Sequence, residues 1–205
     1  MRVEHVDVLV EEPSMEALLG FLLPKILGST TFRIYPHQCK DELLKHLPER
    51  LRGYARWIKP TWRIVVAVDR DNDDCHELKY KLEQMALDAG LVTRSQAHGR
   101  SYAIVNRLII EELEAWYFGD WEAVRAAYPR VPTTVPSKAK YRNPDTIVGG
   151  TWEAFEGVLQ KAGYFKGGLR KIEAANTIGP YMAPERNCST SFRVLRKALL
   201  DMGFE

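Results

Sequence analysis

An apolar run, Val65-Val66-Ala67-Val68, stops at Asp69 and is followed at once by three more aspartates, Asp71, Asp73 and Asp74. The run is short, β-branched and free of polar side chains, which is the composition of a strand buried on both faces of a sheet. Such strands belong to parallel sheets covered by helices, so this stretch alone restricts the fold class. It also places its aspartates in the loop at the strand's C-terminal end, the edge at which open α/β sheets bind ligands. Carboxylates crowded into so short a segment repel one another at neutral pH. A divalent cation relieves that repulsion, and carboxylate oxygens suit Mg²⁺ or Mn²⁺. A second reading needs no metal: a solvated turn whose last aspartate, Asp74, caps the next helix.

The flanking sequence supplies the rest of a sheet. Residues 6–10 read as a first strand, ended by Glu11-Glu12-Pro13-Ser14. Ser14 is the predicted N-cap of a helix reaching about residue 27, with Pro24 kinking or shortening its last turn. Residues 30–35 form a second strand closed by Pro36, and residues 41–57 a second helix. The central strand, 63–68, is followed by a helix over 75–89, a short strand at 91–93 and a further strand at 103–110. The order β-α-β-α-β-α-β predicts an α/β fold with a mostly parallel sheet flanked by helices.

Residue 110 divides an α/β core, 1–110, from a mainly helical extension, 111–205, packed on it. The extension has predicted helices from 111, over 120–128, 152–162 and 169–176, and over 191–202, the last capped by Ser189 or Ser191. Between them, 129–150 is irregular and holds Lys138, Lys140 and Arg142 against the single acid Asp145.

A hydrophobic content of 45% excludes global disorder, whereas a net charge of +2 selects no class of partner. Cys39, Cys75 and Cys188 form no CxxC pair. An odd count, with Arg2, Glu4 and Asp7 where a secretory leader would be apolar, predicts free thiols in a reducing cytoplasm. No apolar run is long enough to span a bilayer, so no membrane partner is expected. There is no P-loop, so any ATP-driven step requires a partner.

Asp69 and Asp71 are two apart, and on extended backbone both side chains leave on one side. If the first and third strands are neighbours, Glu11 faces the same crevice. A glutamate after a first strand and an Asp-x-Asp after a later one resembles the Toprim domain of topoisomerases, primases, old-family nucleases and small recombination proteins. Val10-Glu11-Glu12-Pro13-Ser14-Met15-Glu16-Ala17 is similar to its opening and Asp69-Arg70-Asp71 to its Asp-x-Asp. A family of small bacterial Toprim-like proteins is closer still, through Glu112-Leu113-Glu114-Ala115-Trp116 and Arg186-Asn187-Cys188-Ser189-Thr190-Ser191-Phe192.

The resemblance implies metal-dependent phosphoryl transfer, with Mg²⁺ or Mn²⁺ on Asp69 and Asp71 and with Glu11 as general acid/base or a further ligand; Asp73 or Asp74, just beyond them in the turn, is the candidate third ligand. The resemblance raises Glu114, with Glu112, to second-site ligands; read alone, these are acids complementing a helix dipole. Trp116 is either core or a stacking platform. The family pattern has glycine where this chain has Glu12, which either restricts phosphate approach or adds a ligand. No tyrosine is placed as a topoisomerase nucleophile, so strand passage is not expected. The function implied is a nuclease acting on DNA or RNA without sequence preference, in phage defence or DNA maintenance beside a partner ATPase. Lys138, Lys140, Arg142 and Arg193 would then contact phosphates, the bland alternative being a solvated loop and helix face. The alternative function is a non-catalytic metal- or phosphate-binding module that docks a partner protein.

Overall fold

The computed structural model describes residues 2–202. Four β-rich runs pair in parallel: β1 (His5–Val10), β2 (Thr31–Pro36), β3 (Trp62–Asp69) and β4 (Ile104–Ile109). Their order in the sheet is β2-β1-β3-β4, so β1 and β3 are central neighbours, with Val10 opposite Ala67. The connections are helices α1 (Pro13–Leu27), α2 (Lys40–Trp57) and α3 (Cys75–Asp88). The predicted fold class, a parallel sheet flanked by helices with a C-terminal helical extension, is what the chain forms.

Side chains alternate across the sheet with period 2 and bury two separate clusters. Leu9, Ile64, Val66 and Val68 pack with Leu43, Leu47 and Leu51 of α2 and with Leu82 and Ala86 of α3. Val6, Val8, Val10, Val65, Ala67 and Val105 face the other way, onto Leu18, Leu19 and Leu22 of α1. That second cluster continues without a break into the extension, through Trp116, Phe155, Ile178, Phe192 and Leu199. The extension consists of α4 (Glu114–Gly119), α5 (Trp121–Ala127), α6 (Thr151–Lys161), α7 (Lys171–Ile178) and α8 (Thr190–Met202). Trp116 is fully buried, so it belongs to the core and is no stacking platform. No helix among the described residues is long and apolar enough to cross a membrane.

Several local expectations differ from what forms. Glu12, not Ser14, stands at the N-cap of α1; Ser14 lies inside the helix and donates its hydroxyl to the Glu12 carboxylate. Helix α1 runs through Pro24 to Leu27. Residues 91–93 form no strand: Thr93 makes one isolated bridge to Ile104, and a 3-10 turn at Arg94–Gln96 follows. Helix α4 starts at Glu114 because Glu111 is left-handed, with φ of 62°.

The segments 112–116 and 186–192 grip each other. Asn187 Nδ2 donates to the Trp116 carbonyl at 2.9 Å, and Trp116 Nε1 donates to Ser191 Oγ at 3.1 Å. A Cβ on Gly119 would lie 2.1 Å from Asn187 Oδ1, which requires glycine there. Ser189 Oγ accepts the Phe192 N–H at 3.2 Å and so caps α8, as predicted. Asp145 reinforces that cap by accepting from Ser189 Oγ, Thr190 N and Ser191 N at 2.9, 2.6 and 3.2 Å. Asp145→Ala removes the acceptor of the Thr190 and Ser191 N–H groups and leaves Ser189 Oγ only Ser191 Oγ as an acceptor, at 3.1 Å. It should cost about 2–4 kcal/mol, read as a lower urea midpoint with unchanged slope.

Candidate acidic site at the sheet edge

The strand order places Glu11, just past the end of β1, beside Asp69, the last residue of β3. Glu11 Oε2 accepts the Asp69 backbone N–H at 3.1 Å, fixing the two strand ends together. Asp69 is 2% exposed. Its Oδ2 accepts the Leu113 N–H at 3.4 Å, while its Oδ1 is buried and has no hydrogen-bond partner.

The chain is not extended at Asp71. Its φ of 49° is left-handed, and its N–H donates to the Glu111 carbonyl at 3.1 Å. Asp71 reaches the crevice from a turn, rather than by strand alternation from Asp69. Lys40 Nζ, at the start of α2, meets its carboxylate at 2.5 Å and that of Asp73 at 2.9 Å. Glu12 is extended, with φ of −144°, so the backbone there makes no demand for glycine. Its carboxylate faces Lys171 Nζ, at the start of α7, at 3.5 Å.

Glu114 completes the acidic group from the extension. It is 1% exposed and its Oε2 is buried without a partner. Burial raises the Glu114 carboxyl to about 7, against the pull of Lys171. Burial, with Asp71 adding to it, raises Glu11 to about 7 as well, against the Asp69 N–H and Lys40. Asp69 is pushed well above the usual carboxylate range by burial, then by Glu11, Glu12 and Glu114. Glu11, Glu12, Asp69, Asp71 and Asp73 line an open crevice of about 470 Å³ that also holds Lys40 and Lys171; Glu114 acts on Asp69 but is not among the lining residues. Burial depresses both lysines, but the surrounding carboxylates outweigh it and hold each above its ordinary value.

Other sequence-derived candidates stand elsewhere. Asp74 is the N-cap of α3: its Oδ1 accepts from His76 N and Glu77 N at 2.8 and 2.9 Å, and it is not among the crevice residues. Glu112 Oε2 accepts from Thr151 N, Thr151 Oγ1 and Trp152 N, each at 2.9 Å, at the start of α6. Lys138, Lys140 and Arg142 lie on the α5–α6 connection, with Lys140 Nζ 4.4 Å from the Tyr141 ring centre. Arg193 Nε donates to the Asn187 carbonyl at 2.8 Å. None of these four cations lines the crevice. Its cations are Lys40 and Lys171, which sequence reasoning passed over. Lys40 had a usable signal, because it opens the helix after a parallel strand and so faces the same sheet edge. Lys171 had none, since only the packing of α7 brings it there.

Oxygen donors of this kind suit a hard divalent cation, and the unpartnered buried oxygens of Asp69 and Glu114 are atoms that such an ion would satisfy. As the side chains stand, no group of three His, Cys, Asp or Glu among the described residues is gathered to hold a metal. Lys40 provides the counter-charge instead.

A family model described as "Domain of unknown function (DUF4276)" matches residues 10–200. No curated protein matches the chain. Among solved structures, the C-terminal region of the Xanthomonas campestris pv. campestris OLD protein superposes with a TM-score of 0.52 at 12% identity. The match covers 97% of this chain and 95% of that one. At that identity the likeness is one of fold, and it extends through the helical extension as well as the sheet.

Proposed function

This chain belongs to the DUF4276 family, and on that premise we propose that it is a Mg²⁺- or Mn²⁺-dependent nuclease. The observation that carries the reading is a set of carboxylates, Glu11, Asp69 and Glu114, held buried with raised proton affinity at the C-terminal edge of a parallel sheet. Burying acids in this way costs stability, and a protein retains such a cost where it has a use. The Toprim resemblance of Glu11 and Asp69-Arg70-Asp71, together with a fold like that of the OLD protein's C-terminal region, favours phosphodiesters as the substrate.

In this reading Asp69 and Asp71 hold the metal, and Glu114 is available to a second ion. A bound ion would supply charge stabilisation at the scissile phosphate and lower the proton affinity of a water there. Glu11, with a carboxyl near pH 7, takes or returns a proton at neutral pH. Lys40 and Lys171 attract the phosphate backbone into a crevice that would otherwise repel it. Recognition through phosphates gives no base preference. A role in phage defence or DNA maintenance, beside an ATPase that this chain would need for any ATP-driven step, completes the proposal.

Supercoiled plasmid should be nicked with Mn²⁺ or Mg²⁺ and left intact in EDTA. Asp71→Asn should lower the rate on the order of 10²-fold, read from the decay of the supercoiled band. A second reading is a non-catalytic module that recognises a phosphate end or a partner. It is favoured by Lys40, which already neutralises Asp71 and Asp73 without a metal. Full-length protein that binds DNA yet leaves plasmid and RNA intact with both metals would decide for it.

A further inference from the structure

On the outer edge of β4, sharing no residue with the acidic crevice, lies a second cavity of about 390 Å³. Four cations line it: Lys79 of α3, Arg94 of the 3-10 turn, Arg107 of β4 and Lys197 of α8. Two carboxylates among the described residues answer them. Glu83 pairs with Lys79 and is further satisfied by Ser95 Oγ and by Asn106 Nδ2 at 3.0 Å. Asp201 is shared between Arg94 and Lys197. Arg107 has no carboxylate partner among the described residues; its Nη1 donates to the Asn106 carbonyl at 3.3 Å and its buried Nε donates to nothing.

Two positive charges are therefore left over, contributed from separate segments around one cavity. Such an excess is held against mutual repulsion, and it is relieved by an anion of matching charge. A phosphate monoester carries about −1.5 to −2 at neutral pH, whereas a backbone diester carries a single charge. Val105 and Val194 add an apolar wall, and the volume exceeds what a bare ion needs.

We propose that this β4-edge cavity binds a phosphate monoester, with Arg107 as its principal contact and Arg94 and Lys197 completing the cradle. The monoester has two sources with the same chemistry: the 5′-terminal phosphate of a nucleic-acid strand, or a free mononucleotide. The site makes no use of the acidic crevice, so the inference does not rest on cleavage.

Binding is measured in EDTA, where metal-dependent cleavage cannot occur. The probes are a labelled oligothymidylate with a 5′-phosphate, the same strand with a 5′-hydroxyl, and adenosine 5′-monophosphate as free ligand. The 5′-phosphorylated strand should bind about 10-fold more tightly than the hydroxyl form. Arg107→Ala should erase that ratio. So should Lys197→Glu, at a side chain 74% exposed where the fold is not at stake. Asp69→Asn should preserve it. If the two strands bind equally but adenosine monophosphate binds and Arg107→Ala abolishes it, the proposal stands with the free nucleotide as ligand. It is overturned if neither phosphate is preferred, or if the preference survives both variants. Loss of plasmid nicking with the phosphate preference intact would sink the nuclease reading alone.

Discussion

Asp69→Asn should reduce metal-dependent cleavage on the order of 10³-fold while the metal-free protein melts at a higher temperature than the parent at pH 8. The two effects have one origin. Asp69 is buried among Glu11, Glu12 and Glu114, so its ionised form is opposed by both desolvation and like charge. Asparagine keeps the shape and the oxygen that accepts the Leu113 N–H, and removes the charge. A ligand carboxylate replaced by a neutral amide loses most of its affinity for a hard cation, which is where the loss of rate arises. Thermal melting and plasmid nicking on the same preparation check the prediction. A variant that melts lower and nicks less would show only that Asp69 supports the fold.

The second large effect links metal, pH and stability. Glu11 and Glu114 keep their protons up to about 7 in the folded chain, against an ordinary value of 4.5. Between those values the folded state binds more protons than the unfolded one, so stability falls as pH rises. Their contribution is complete below 4.5, is lost through the window up to about 7, and stays lost above it. One such shift is worth about 3 kcal/mol. A cation bound to the ionised site restores what was lost. Mn²⁺ at ~100 times its Kd should raise the Tm by about 5–10 °C at pH 8, and by almost nothing at pH 5.5, where protons compete for the same oxygens. Calorimetry at both pH values, with Mg²⁺ and Mn²⁺, provides the readout. Equal shifts at the two pH values, or a full shift in Asp69→Asn, would place the metal elsewhere.

Much of the fold can be read from local pattern because the pattern and the packing agree. The run ending at Asp69 is β3, and the alternation of Val8, Leu9 and Val10 does divide two cores. Glu11 beside Asp69 was readable only on the condition that β1 and β3 are neighbours, which the strand order fulfils. What escaped was decided at a distance. Glu114 was a candidate on family resemblance alone, since nothing near it in the chain reveals that α4 is buried against the sheet edge. Asp74 and Glu112 looked like ligands because an acid before a helix and an acid in a metal site are the same residue type; here they hold helix N-termini. The basic run near residue 140 drew attention by its density, yet the crevice takes its positive charge from Lys40 and Lys171, which sit singly in the sequence.

The unbroken core beneath the sheet also sets the order in which the chain can mature. Strand β4 ends at Ile109, so every strand ladder among the described residues is available before the segment from residue 110 onward has been synthesised. Helices α2 and α3 can close one face by then. On the other, α1 shares its cover with Trp116, Phe155, Phe192 and Leu199, the last of which arrives with α8. A nascent chain therefore carries a paired sheet with part of an apolar face open to water until α8 leaves the ribosome. That interval is when it is most exposed to association with other unfinished chains.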